Sequence, residues 1–264
     1  MIEVTQGNSP IVLGLPHTGT DVPPDIWETL NDRGRALADT DWKIERLYSD
    51  LGLDLTRVRT PVHRYAIDVN RGPDDASLYP GQNTTGLCPL TDFDGEPIYL
   101  DGAEPDAVEV ARRKETYHAP YHAALTAQLQ RVRDKHGVAI LYDCHSIRSV
   151  IPYLFEDTLP DFNIGTNSST SCASFVERSV HMRCRASNDY TCVLNGRFKG
   201  GWTTRHYGQP SENIHAIQME LAQSTYMDEA PPWQYRTDKA DRLRPVLYRI
   251  LSDLVDLIDE RHLR

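Results

Sequence analysis

Residues 138 to 146, Val-Ala-Ile-Leu-Tyr-Asp-Cys-His-Ser, constrain this chain more than any other stretch. Gly137 ends a long polar segment patterned as a helix, an apolar and aromatic run follows, and Asp143 and His145 stand where that run stops. A short, nearly continuous apolar run after a helix reads as a buried strand of an α/β sheet. Ligands of such sheets bind beyond the carboxyl ends of the strands. His145 therefore falls where chemistry is expected; the plainer alternative is a histidine satisfied by hydrogen bonds at a strand end. A length of 264 residues suits one large α/β domain or two small ones, and a single domain over 1–264 is the expectation.

The pattern of a strand stopping at a polar residue recurs. Pro10 to Leu15 is an apolar run of strand length that ends at Pro16-His17-Thr18-Gly19-Thr20, with a helix expected from Asp25 to Asp32. Ala38-Asp39-Thr40-Asp41-Trp42 precedes a helix whose apolar positions are Trp42, Ile44, Leu47, Tyr48 and Leu51. Asp39 or Thr40 suffices to cap it, which leaves Asp41 as a candidate hard oxygen ligand. Strands are expected over Leu53–Val58 and His63–Arg71, the second closing on Asn70-Arg71 and a Gly-Pro turn. An arginine presents a planar fork of donors that matches a carboxylate, Asn70 adds a further donor, and Arg64 could come from the near end of the same strand.

Residues 72–106, rich in Pro, Gly, Asp and Thr, read as a long loop suited to be a wall or lid of a site. The longest helical pattern, about 104–135, is broken at Pro120. Its His118 and His122 share a face at i, i+4, but no Glu follows the first as in HExxH, so a role in packing or in supporting the residues that line a site is expected. Residues 160–172 read as a polar loop and 173–187 as a helix. The Gly-rich stretch 193–202, with Arg197, Lys199 and then Arg205, could clamp an anion. It does not match GxxxxGK[ST] and does not visibly join a strand to a helix, so a carboxylate is as good a guess as a phosphate. Asn213 to Leu221 alternates as a strand and carries Glu220 between Met219 and Leu221; a carboxylate there needs a partner, whether a salt bridge, a catalytic role as base or a metal neighbour. Residues 238–264 form a terminal amphipathic helix assigned to packing.

Composition closes off other classes. Hydrophobic residues make up 39% and charged residues 25%, ordinary for a soluble globular protein. The net charge of −10 repels a phosphate backbone, so nucleic acid is not an expected partner. No apolar run approaches the roughly 20 residues that span a bilayer, so no membrane is expected. The N-terminus shows no secretory signal, which gives a cytoplasmic expectation. Five cysteines with no CxxC pair fit reduced thiols and exclude a zinc ribbon.

Taken together, the strand ends supply His17, Asp41, His145 and Glu220, with Arg64, Asn70, Arg71 and an arginine-bearing glycine loop. Two histidines and a carboxylate make a three-ligand zinc site with an open position, and zinc lowers the pKa of water there to about 7. A nearby carboxylate can then move the proton as water attacks a carbonyl. The motifs Pro16-His17-Thr18-Gly19, Asp39-Thr40-Asp41-Trp42, Ile67-Asp68-Val69-Asn70-Arg71, Asp143-Cys144-His145-Ser146, Asn195-Gly196-Arg197-Phe198-Lys199-Gly200-Gly201 and Gln218-Met219-Glu220-Leu221, in this order from about residue 8 to 255, resemble the N-formylglutamate amidohydrolase (deformylase) family of histidine degradation.

That family is similar in fold to zinc carboxypeptidases and aspartoacylase. The resemblance implies a mixed, mostly parallel central sheet flanked by helices, and hydrolysis of N-formyl-L-glutamate to formate and L-glutamate. It implies a divalent cation, zinc or else cobalt, manganese or iron. His17 and His145 resemble the histidine ligands, and Glu220 the catalytic glutamate. Asn70-Arg71 resembles the pair that holds the substrate carboxylate; Arg64, Arg197 and Arg205 are further substrate-binding candidates. In those relatives a Glu ligand follows the first histidine by three residues; here position 20 is Thr, so Asp41, with Asp21 in reserve, is expected to replace it. Expected partners are the substrate and water, and a homo-oligomer stays open. The alternatives are a deacylase for an acetyl or succinyl amino acid and a non-catalytic binder of acidic amino acids.

Overall fold

The computed structural model describes residues 1–49 and 51–262, the last four of these by backbone only. Seven strands form one sheet: β1 Glu3–Thr5, β2 Ile11–Leu15, β3 Thr56–Arg59, β4 Ala139–Ile147, β5 Phe162–Gly165, β6 Cys192–Leu194 and β7 Ile214–Ala222. Their order is β1-β3-β2-β4-β7-β5-β6. The central β3-β2-β4-β7 run is parallel, while β1 on β3 and β5 on β7 are antiparallel, so the sheet is mixed and mostly parallel as expected. The helices are α1 Pro24–Trp27, α2 Asp32–Arg35, α3 Ile44–Tyr48, α4 Ala107–Arg113, α5 Ala119–His136, α6 Ser174–Arg185, α7 Trp202–Tyr207 and α8 Thr237–His262.

Alternation along the central strands divides the core. Ile11, Leu13, Ile140, Tyr142, Cys144, Ile217, Met219 and Leu221 face one layer, which α3, α6 and α8 cover with Leu47, Val180, Leu247 and Leu254. Val12, Ala139, Leu141 and Ala216 face the other, covered by Tyr121, Leu125, Leu129 and Val132 of α5. Continuing this second face toward the carboxyl ends brings in Asp143 and His145 from β4 and Gln218 and Glu220 from β7. The apolar core thus gives way, on the same face of the same strands, to a polar site. Gly14 on β2 makes room for it, since a Cβ there would lie 2.9 Å from Asp143 Oδ1.

Several expected elements differ. The expected helix at 25–32 is the one-turn α1 followed, beyond it, by α2, whose N-cap Asn31 accepts from the Gly34 N–H. The strand expected over 53–58 is displaced to β3. Residues 63–71 pair with no strand; they fold as buried turns, because their alternating apolar residues are covered by tertiary packing and not by a sheet neighbour. The helical pattern of 104–135 does not end at Pro120. A π-turn over Lys114–His118 joins α4 to α5, and the helical backbone continues through Pro120 directly after this bulge. The polar loop expected at 160–172 contains β5, and the glycine-rich stretch does run from a strand, β6, into a helix, α7. Residues 263–264 of the expected terminal helix lie outside the described residues. All five cysteines are unpaired. No described helix is long and apolar enough to cross a membrane.

Candidate active site

His17 follows β2, His145 ends β4, and Asp41 lies in the turn before α3. The Asp41 backbone N–H donates to the His17 carbonyl at 3.0 Å, and the Ser146 N–H donates to Asp41 Oδ2 at 3.1 Å, which ties this carboxylate to both histidine segments. Asp41 Oδ2 lies 3.8 Å from His17 Nδ1 and 3.3 Å from His145 Nδ1. One ligand atom from each of the three residues falls within 4.8 Å of the others, and all three side chains are buried. Asp21, the reserve ligand, is exposed and stands outside this group.

Each imidazole uses its other nitrogen on a second carboxylate. His17 Nε2 meets Asp68 Oδ1 at 2.7 Å, and His145 Nε2 meets Asp143 Oδ2 at 3.1 Å. This is how metal-bound histidines are oriented, with the Nδ1 lone pair turned to the centre. Arg64 Nη1 lies 3.3 Å from His17 Nδ1 and can only donate, so His17 presents a lone pair there. Burial and the Arg64 charge hold His17 below its ordinary value, against Asp68 and Asp41. Burial acts the same way on His145, but Asp143 and Asp41 outweigh it and hold His145 well above 6.5. The donor set fits a divalent cation: three buried ligands with outer carboxylate partners, the pattern of a catalytic site with a position left open.

Glu220 stands beside His145 in the sheet, the two being register partners across the β4–β7 ladder. Gln218, two residues earlier on the same face, donates to Glu220 Oε2 at 3.1 Å and accepts from the Gly201 N–H at 2.7 Å. Burial, with the Asp41 and Asp143 carboxylates, pushes Glu220 up to about 8, against His145 and Arg64.

The pocket over this centre is lined by Arg64, Asn70, Arg71, Tyr79, Phe93, Leu154, Arg197, Phe198 and Gln218 as well as the residues above. Arg64 is buried, donates to Asp68 Oδ2 at 2.6 Å and lies over the Phe93 ring. Arg71 donates to Thr85 O and Oγ1. Asn70 accepts from the Thr203 N–H and reaches His145 Nε2 at 3.3 Å, so its side chain is engaged inside the protein. A Cβ on Gly201 would sit 2.3 Å from Asn70 Nδ2, which is why glycine stands there. Arg197 donates to the Leu154 and Asn83 carbonyls. Arg205 does not line the pocket; it bonds the Gly200 and Leu78 carbonyls behind its wall. His118 and His122 meet the Arg71 and Val69 carbonyls at 2.9 and 2.8 Å, holding the backbone on both sides of Asn70.

Sequence reasoning gave no role to Asp68, Asp143, Gln218 or Tyr79. The cost of a carboxylate between two apolar neighbours, applied at Glu220, also applies to Asp68 between Ile67 and Val69 and to Asp143 between Tyr142 and Cys144. Gln218 and Tyr79 carry no such signal.

The N-formylglutamate amidohydrolase family model matches residues 9–227. A Pseudomonas aeruginosa protein named N-formylglutamate deformylase is 44% identical over 264 residues, covering 99% of this chain and 98% of that protein. A Pseudomonas putida protein of the same name is 44% identical over 262 residues, covering 98% and 97%. The crystal structure of N-formylglutamate amidohydrolase from Ralstonia eutropha JMP134 shares the fold, with a TM-score of 0.83 and 24% identity over 98% of each chain. With a family match over most of its length and identity at this level from end to end, the chain belongs to the N-formylglutamate amidohydrolase family.

Proposed function

We propose that this chain, as a single cytoplasmic amidohydrolase domain, hydrolyses N-formyl-L-glutamate to formate and L-glutamate in histidine degradation. His17, Asp41 and His145 hold a divalent cation, zinc by its donor set of two imidazoles and one carboxylate. The observation that carries the reading is the convergence of two histidine Nδ1 atoms on one Asp41 oxygen, with Glu220 on the neighbouring strand. The names of the two Pseudomonas relatives supply the substrate.

A cation bound there supplies Lewis-acid polarisation of the formyl carbonyl and acidifies water. The rest falls to the protein. Glu220 takes the proton from water as it adds to the formyl carbon and passes it to the amide nitrogen as the C–N bond breaks, so one water is consumed and a carboxylic acid and an amine are formed. Burial keeps its carboxyl a better base than an exposed one. Arg64 lines the pocket beside His17, a guanidinium suited to stabilise the charge that develops on the attacked carbonyl. Arg71 lies 3.9 Å from Asp68 Oδ2 and donates to Thr85, while Arg197 donates to two carbonyls and has no carboxylate within ion-pair distance among the described residues; both line the pocket, which suits them to the two carboxylates of the substrate. Phe93, Leu154 and Phe198 exclude water around them.

The test joins metal analysis to formate release. About one cation per chain is expected, with formate release lost in chelator, restored by zinc, and faster for formyl than for acetyl or succinyl glutamate. A cation-loaded protein that releases no formate overturns the proposal.

A further inference from the structure

The strap of residues 72–87 has no regular secondary structure, yet it organises the cationic wall of the pocket. Tyr79 reaches from it to the glycine loop. Its hydroxyl donates to the Gly200 carbonyl at 3.1 Å and accepts from the Lys199 N–H at 3.1 Å, bracketing Lys199 and Gly200, the latter with a φ of +110° that only glycine adopts without strain. The Gly200 carbonyl also accepts from Arg205 Nε at 2.9 Å. Two guanidiniums lie against the Tyr79 ring, Arg197 at 5.4 Å and Arg205 at 5.0 Å from its centroid. Neighbouring strap carbonyls take one further donor from each guanidinium, Leu78 from Arg205 Nη1 and Asn83 from Arg197 Nη2. No carboxylate within ion-pair distance answers either arginine among the described residues, and burial with the nearby Arg71 holds Arg197 below its ordinary value. Arg71 is anchored separately, through Thr85.

Resting on the functional reading above, we infer that Tyr79 is a positioning residue for specificity: it sets Arg197, backed by Arg205, as a second cationic centre apart from Arg71, so that the pocket selects substrates with two carboxylates. Tyr79 acts through these arginines; the hydroxyl fixes the loop and the ring fixes the guanidiniums.

Tyr79→Phe keeps the ring and removes the two hydroxyl bonds. Three substrates are compared: N-formyl-L-glutamate, N-formyl-L-glutamine, which lacks the side-chain carboxylate, and 4-formamidobutyrate, which lacks the α-carboxylate. KM for N-formyl-L-glutamate should rise about tenfold with kcat within about twofold. kcat/KM should fall for one monoanion only, the one whose carboxylate the Arg197 centre holds. An equal loss on all three marks a merely structural residue and overturns the inference, as does no loss. Calorimetric titration with glutarate reads the clamp without turnover, and Tyr79→Phe should weaken it about tenfold. A wild type that binds glutarate but releases no formate overturns the functional reading alone. Equal glutarate affinity in both proteins, or no glutarate binding by a wild type that releases formate, overturns the inference alone.

Discussion

Asp68→Asn is the most informative single change. Asp68 is fully buried and serves three groups at once: His17 Nε2 at 2.7 Å, Arg64 Nη2 at 2.6 Å and the Asn70 N–H at 2.8 Å. Burial alone would raise its pKa, but the His17 hydrogen bond and the Arg64 and Arg71 charges hold it well below the usual carboxylate range. Asparagine is isosteric and can still accept from two of these groups, but its amide NH₂ then meets Arg64, leaving a buried guanidinium without its counter-charge. Breaking a buried pair costs about 3–5 kcal/mol. Asp41 Oδ1, 3.9 Å from Arg64 Nη1, retains part of the field and favours the lower end of that range. For a chain of this size about 3 kcal/mol lowers Tm by roughly 6–12 °C. Loss of the outer carboxylate behind His17 should also weaken cation affinity by about 10–100-fold. Calorimetric melts in chelator and zinc titrations read the two effects separately. The folded pKa lies below the unfolded value of about 3.9, so the contribution is present above about pH 4 and is lost as pH falls through the folded value. The gap in Tm between wild type and variant should therefore hold from pH 7 to 5 and narrow in stronger acid. A variant that matches wild type in both Tm and zinc affinity at pH 7 would refute the assignment of Asp68 as the hub of the site.

Glu220→Gln should leave zinc affinity within about threefold and lower kcat by about 10²–10⁴; retained turnover would remove Glu220 as the base. Arg197→Gln should raise KM for N-formyl-L-glutamate by about 10–100-fold with kcat little changed, and an unchanged KM would exclude it from the carboxylate clamp. Gly201→Ala should displace Asn70 from His145 and cut kcat/KM by roughly tenfold to a hundredfold, read by steady-state kinetics beside a melt that shows the chain still folded. Asp143 and Asp41 hold His145 above its ordinary value against burial, so protons compete with a cation for this imidazole. Zinc affinity should accordingly rise with pH by about tenfold per unit below that raised value, with close to one proton released per cation in buffers of differing ionisation enthalpy. Affinity independent of pH would mean that His145 Nδ1 is not a ligand.

The candidate ligand histidines are legible because apolar runs stop at them. His17 and His145 each follow a run too short for a helix and too continuous for a surface strand, and β2 and β4 follow from the same runs. Residues 63–71 mislead for the opposite reason. Their alternation of Tyr65, Ile67 and Val69 with polar residues looks like a strand, but burial from several sides leaves the same trace as one buried sheet face. β5 was hidden because Phe-Asn-Ile-Gly is short and sits among loop residues, its burial supplied by β7 and not by its own composition. The fold brings Asp41 and not Asp21 beside the two histidines, since acidic residues near a histidine in sequence differ by where the chain turns. Proximity to the glycine loop in sequence suggests Arg205 for the pocket; α7 carries it behind the wall. Tyr79 was beyond reach, because its partners lie about 120 residues away on a loop whose path no local pattern fixes.

The placement of His145 and Glu220 as neighbours across two parallel strands has a consequence for how the molecule fails. Their spacing is held by main-chain bonds in the middle of the sheet, among the last amides expected to exchange with solvent. Warming should therefore loosen the strap first and dissolve the core later. On that view an ageing sample loses its discrimination between substrates while its hydrolytic machinery is still assembled, and only global unfolding silences it.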